Sequence, residues 1–245
     1  MKKLFAAIAG LVIALGALAQ MPNLGDIMKG AGKMTDSKAT SPVGAGDDKT
    51  NAAGIKEALA VGTENAVKSL SQTDGYFANQ AVKILMPPSI QKVADVARKV
   101  GFQKQVDEFI LSMNRAAEKA APMAAKFFGD AIRDMSMDDV RGILTGGDTA
   151  ATDFFSRKTR DKLYAAFKPV VSKSIGEVGA TKSYNDLMGR YESVPFMGKQ
   201  SVDLDDYVTN KGLDGLFLMV AQEEKKIRTN PMARTTDLLK SVFGG

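Results

Sequence analysis

GFQKQVDEFILSMNRAAEKAAP, residues 101–122, decides the fold class. Phe102, Val106, Phe109, Ile110, Met113 and Ala117 recur every three or four residues, which places them on one face of a helix. Gly101 stops the helix before it, and Pro122 opens the one after it.

The same period continues in both directions. Upstream, Ile55, Leu59, Ala66, Val67 and Leu70 form a second apolar stripe, broken at Gly75. Ile84-Leu85-Met86 precedes Pro87-Pro88 and reads as a short extended piece, because proline disfavours helix in the residue before it. Ser89 is placed to cap a helix carrying Ile90, Val93, Ala97 and Val100. Downstream, a helix runs from Pro122 to Met135. Ser136 then caps a short helix with Asp139 at its third position, where an acid suits the helix dipole. Gly146-Gly147 ends that helix, and Asp148 is placed to cap the next. Residues 149–178 read as helix with a break near Pro169. Thr181 caps a short helix through Tyr191, and 194–198 is a loop. Asp203 or Asp205 opens a long helix carrying Leu204, Val208, Leu213, Leu216, Phe217 and Val220. Asn230-Pro231 breaks it, and a last helix covers 234–242. The expectation is an all-α fold: a single multi-helix domain of about eight to ten helices, with at most a minor β element near 82–86.

The first fifty residues differ. Lys2-Lys3 precedes an uncharged apolar run from Leu4 to Ala19, ending in Ala17-Leu18-Ala19 before Gln20. That order is a secretory signal peptide, 1–19. As a membrane anchor it falls short of the roughly 20 apolar residues a span needs. Residues 20–50 are rich in Gly, Pro and small polar residues and read as a flexible linker. The domain then occupies 51–245. The expected location is periplasmic or secreted, with no transmembrane span after signal cleavage. A lipoprotein anchor needs a cysteine, and the chain has none.

Composition excludes several chemistries. With zero His and zero Cys there is no Ser-His-Asp or Cys-His nucleophile, and no His or Cys metal site. The net charge is +5, falling to +3 without Lys2 and Lys3, and the charges are interspersed. A nucleic-acid partner calls for a concentrated basic footprint, so none is expected. No cofactor is expected either. Gly32-Lys33 and Gly198-Lys199 fail the phosphate-loop spacing, which would need glycine at Ile27 and Ser193. Ser89-Ile90-Gln91-Lys92 fits a Ser-x-x-Lys pattern without its companion motifs, and reads as a cap beside a solvated lysine.

Polar clusters supply the candidates. Asp203, Asp205 and Asp206 could offer oxygens to a divalent cation, although the calcium-loop pattern fails at Val208 and Asp214. Helix-terminal charge compensation is the simpler reading. Arg115 and Glu118 lie one helical turn apart, as do Arg157 and Asp161. Either pair could line a polar cleft or form a structural ion pair. Glu223-Glu224-Lys225-Lys226 reads as a solvated helix face. Met86, Met113, Met123, Met135, Met188, Met197 and Met219 could line an adaptable apolar pocket or fill a core.

A set of segments stands in a recognisable order: GIKEALAVGTENAVKSLSQTDGY (54–76), MNRAAEKAAP (113–122), ILTGGDTAATDFFSRKT (143–159), VGATKSYNDLMGRY (178–191), PFMGKQSVDLDDYVTNKGLDGLF (195–217) and EEKKIRTNPMARTTDLLKSVFG (223–244). In these the chain resembles the DUF4197 family, exported bacterial proteins named for having no known function. The resemblance implies an exported helical domain and carries over no catalytic residue. It places polar residues at loops and helix ends, among them Asp148, Arg157, Lys158, Arg190, Tyr191 and Arg234. Arg115, Glu118, Asp148, Arg157, Arg190 and Tyr191 are the candidate ligand-binding residues.

Three functions compete. The first is a non-enzymatic periplasmic binding protein for a lipid or other apolar molecule held between helices. The second is an envelope module that engages another protein through an exposed apolar patch. The third is a carboxylate-dependent enzyme assisted by a cation at Asp203, Asp205 and Asp206. The missing catalytic machinery favours a non-enzymatic role.

Overall fold

The computed structural model describes residues 48–177 and 202–234, together with Asn185, Met188, Gly189, Thr236, Asp237 and Lys240. The expected signal peptide, nearly all of the expected linker, most of the helix expected through Tyr191, the loop expected at 194–198 and most of the expected last helix lie outside the described residues.

Seven α-helices occur among the described residues: α1 Asp48–Ser71, α2 Gln91–Lys99, α3 Gln103–Ala120, α4 Ala124–Arg133, α5 Met137–Thr145, α6 Ala150–Glu177 and α7 Leu204–Thr229. Single 3-10 turns at Pro88–Ile90, Ala121–Met123 and Pro231–Ala233 complete the order. The fold is all-α, and the described residues hold fewer helices than the eight to ten expected. One reason is that α6 runs unbroken through Pro169. A proline inside a helix leaves the carbonyl four residues back without its N–H. Pro169 and Ala165 are both exposed, so water can serve that carbonyl.

The helix faces read from the sequence are the buried ones. Val106, Phe109, Met113 and Ala117 of α3 are fully buried. α7 lies against α1, α3 and α6, while α4 and α5 bridge α1 and α6. Aromatic rings fill the centre: Phe128 of α4 sits 5.0 Å from Phe155 of α6 and 6.2 Å from Phe217 of α7, centroid to centroid. Ring pairs at such separations contribute roughly 0.5–1.5 kcal/mol beyond their burial.

Residues 83–87 have no regular secondary structure, and no strand occurs among the described residues. The Asn114 side chain takes a strand's place. Its Oδ1 accepts from the Ile84 N–H at 2.9 Å, and its Nδ2 donates to the Ile84 carbonyl at 2.8 Å. Above this segment α7 must come close, and glycine permits it. A Cβ at Gly215 would stand 2.8 Å from the Tyr76 ring and 3.1 Å from the Val82 Cβ. At Gly212 the nearest atom would be 3.5 Å away. Gly215→Ala is therefore expected to destabilise by about 1–3 kcal/mol through overpacking. Gly212→Ala should cost far less; urea unfolding of both variants checks the contrast.

Two helix starts follow the sequence reading. Ser136 caps α5 in a full capping box: its hydroxyl accepts from the Asp139 N–H, and Asp139 accepts from the Ser136 N–H at 3.0 Å. Asp203 caps α7, accepting from the Asp206 N–H at 2.9 Å. A third does not. Ser89 is exposed inside a 3-10 turn, and the residue at the N-cap of α2 is Ile90, with no side-chain bond.

The α5 cap gives a pH prediction. The Ser136 hydroxyl and then its backbone N–H hold the Asp139 carboxyl below the usual aspartate range. A carboxylate lowered on folding stabilises above its unfolded pKa, about 3.9, and the gain is lost as pH falls through the lower folded value. Asp139→Asn should thus destabilise at pH 7, by roughly 0.5–2 kcal/mol as for a lost cap. The difference from the parent chain should shrink on acidification below the folded value, as read by urea midpoints.

Candidate functional site

Two clusters built around buried carboxylates organise the domain. Glu224 of α7 is 8% exposed and lies over the start of α6. Its oxygens accept from the Ala151 N–H at 3.0 Å, the Thr152 N–H at 2.9 Å and the Thr152 hydroxyl at 2.9 Å. The first turn of any helix leaves N–H groups unpaired. Here they are satisfied from another helix, with a charge of the right sign for the dipole. Arg228 balances Glu224, bonding it through Nε and a terminal nitrogen, and also donates to the Ile143 carbonyl at 2.9 Å. Asp148, expected as the cap of this helix, is exposed in the α5–α6 loop instead. Glu223 is buried as well, accepting from Asn65 and pairing with Lys226. The EEKK tetrad is therefore not a solvated face: its two acids point inward, while its two lysines are exposed. Arg234 closes the far end of α7 by donating to the carbonyls of Ile227 and Arg228 at 3.0 Å.

Glu118 of α3 is 4% exposed. One oxygen accepts from the N–H groups of Tyr76 and Phe77 at 3.1 and 3.2 Å, and the other pairs with Arg115 at 2.6 Å. Arg115 reaches on to Asp74, a non-glycine residue in the left-handed region at φ 68°. Tyr76 is fully buried and donates to the Gly212 carbonyl at 2.7 Å. Burial, and then the Glu118 charge, pushes its phenol far above the usual tyrosine range. The 72–87 connection is thus pinned to α3 and α7 by Asn114, Arg115, Glu118 and Tyr76.

The acidic trio is dispersed. Asp203 caps α7 and lies 3.8 Å from the Lys168 ammonium. Asp206 accepts the Tyr164 hydroxyl, to which Lys168 also donates at 3.1 Å. Asp205 lies half-buried in the first turn. Among the described residues no group of three or more acids is arranged to hold a metal ion. The cation expected at Asp203, Asp205 and Asp206 has no convergent oxygen set there, because helix capping and the tyrosine separate the carboxylates.

The concavities are unequal. An apolar crevice beside Glu224 and Arg228, lined by Leu59, Gly62, Phe155 and Val220 among others, has a volume of about 30 Å³. A water needs about 10–15 Å³ by this kind of measure, and ligand pockets are roughly ten times larger or more. A groove of about 290 Å³ between α4 and α6 is lined by Lys126, Phe127, Asp130, Asp134, Phe154, Lys158 and Lys162, with Ala131 and Thr159. A hollow of about 220 Å³ lies between Lys83 and Leu218, and an open one of about 550 Å³ between Phe77 and Leu111.

The model of a family described as "Protein of unknown function (DUF4197)" matches residues 46–244. The chain belongs to DUF4197. No curated protein and no solved structure matches it.

In this DUF4197 domain, Arg115, Glu118, Asp148 and Arg157 line none of the four concavities. Arg115 and Glu118 hold the 72–87 connection, while Asp148 and Arg157 are exposed. Arg190 and Tyr191 lie outside the described residues. None of the methionines proposed for an adaptable pocket lines these concavities either. Met86, Met113, Met135, Met188 and Met219 are core residues, Met123 is exposed, and Met197 lies outside the described residues. The DUF4197 groove lysines were missed as a set. Lys158 and Lys162 are one turn apart and readable as a pair, but Lys126 joins them only through the packing of α4 on α6.

Proposed function

We propose that this DUF4197 protein is an exported, non-enzymatic interaction module that meets its partner on its surface. The observation that carries this reading is the size of the interior crevice, about 30 Å³. A lipid tail cannot enter a space of that size, which counts against an apolar ligand held in this crevice. The other three concavities described above are larger. They combine apolar and charged groups, as protein and headgroup contacts do. The buried carboxylates argue against an enzyme, since Glu118 and Glu224 already accept backbone N–H groups and pair with arginines. Among the described residues no helix is long and apolar enough to cross a membrane.

Export rests on Lys2-Lys3, the apolar run to Ala19 and the Ala-Leu-Ala end. N-terminal sequencing of the mature chain should read Gln20-Met21-Pro22; an intact Met1 in the envelope fraction would refute cleavage. For the interaction itself, crosslinking in intact cells should join lysines of the outer surface to the same partner repeatedly. The crosslinks should be lost on charge reversal at the contact face. Absence of any reproducible crosslink would overturn the reading.

A further inference from the structure

We infer that the groove between α4 and α6 binds a phosphate group. This deepens the surface-module reading and rests on it. Lys158 and Lys162 are four residues apart on α6, so their ammonium groups share one helix face. Both line the groove, and Lys126 faces them from α4. Lys126 is oriented by Asp130 at 2.8 Å, and Asp130 also takes Arg133. The Lys126 bond in particular holds the Asp130 carboxyl below the usual range, so this acid stays ionised and its charge is compensated within its own helix. Asp134 is the other acid on the wall. Among the described residues neither Lys158 nor Lys162 has a carboxylate within ion-pair distance. By contrast Lys104, Lys119, Lys173, Lys211 and Lys226 each have one.

The donors suit an anion. Lysine ammonium groups bind phosphate as mobile point charges, while the arginine fork takes phosphate and carboxylate alike. No arginine lines this groove. Its apolar side is Phe127, half-buried, with the Phe154 ring 5.9 Å from the Lys158 ammonium. At about 290 Å³ the groove accommodates a phosphate with a small organic substituent. Two sources carry that chemistry: a soluble phosphate and the headgroup of an anionic phospholipid.

The test uses the mature chain, which on the proposed cleavage begins at Gln20. Inorganic phosphate is titrated in one arm. In the other, vesicles of phosphatidylglycerol mixed with phosphatidylcholine are compared with phosphatidylcholine alone. Binding in either arm should weaken with added salt. It should also fall at least tenfold in Lys158→Ala/Lys162→Ala, while Lys225→Ala, an exposed lysine on α7, binds as the parent does. Phosphate binding alone assigns a soluble ligand, and vesicle binding alone assigns a headgroup. Binding of neither probe, or equal binding by the double variant, overturns the inference. The surface-module reading would survive that result if the envelope crosslinks persist in the double variant.

Discussion

Glu224→Ala is expected to lower the unfolding free energy by about 3–5 kcal/mol, the usual cost of removing one partner of a buried charge pair. The change strips the first turn of α6 of the acceptor for the Ala151 and Thr152 N–H groups and leaves Arg228 without its counter-charge. Glu224→Gln separates shape from charge. Its amide fits the space, but only its oxygen can accept, so we expect an intermediate loss. Lys225→Ala, one residue away and exposed, should change stability by less than about 0.5 kcal/mol, as surface substitutions commonly do. Urea unfolding at pH 7 checks all three. A Glu224→Ala loss near that of Lys225→Ala would mean that α6 is capped in some other way.

The second large effect is expected at Asn114, which is fully buried. Asn114→Ala leaves the Ile84 N–H and carbonyl without partners and removes the bond to the Ile110 carbonyl. Each buried group left unsatisfied costs about 1–3 kcal/mol, so a loss of about 2–4 kcal/mol is expected once water recovers part of it. Asn114→Asp discriminates further. It can still accept from Ile84 but loses both donated bonds, and so should not rescue stability. Hydrogen exchange at Ile84 should accelerate most in Asn114→Ala, which removes the acceptor of its amide, and less in Asn114→Asp, which keeps it.

These two residues show where the sequence was readable. Helix faces followed from local periodicity: Val106, Phe109, Met113 and Ala117 were named from spacing and are fully buried. Caps made within four residues were also legible, as at Ser136 and Asp203. Caps made across the fold were not. Glu224 serves N–H groups 72 and 73 residues away, so the tetrad looked like a solvated face. Asp148 occupied the local position that Glu224 fills from α7. Pro169 misled in the other direction: its usual penalty was expected to break α6, but its exposed face lets the helix continue. That 84–86 leaves the helical pattern was visible from the prolines after it, whereas its partner, one asparagine side chain, was not.

The site was less legible for the same reason. Arg115 and Glu118 were correctly seen as neighbours, and the structure adds Asp74, Tyr76 and Phe77 to them. Asp203, Asp205 and Asp206 are close in sequence, but a helix start turns them apart. The α4–α6 groove needs residues from two helices, and no spacing rule joins Lys126 to Lys158 and Lys162.

Native mass spectrometry of the chain isolated gently from the cell envelope, followed by lipid extraction, tests the central claim most directly. A domain whose interior crevice holds about 30 Å³ should carry no enclosed apolar molecule. The expected mass is that of the bare chain, with any anionic headgroup adduct lost in Lys158→Ala/Lys162→Ala. A one-to-one apolar ligand that persists in that double variant would contradict a surface-acting module and restore a binding cavity between the helices.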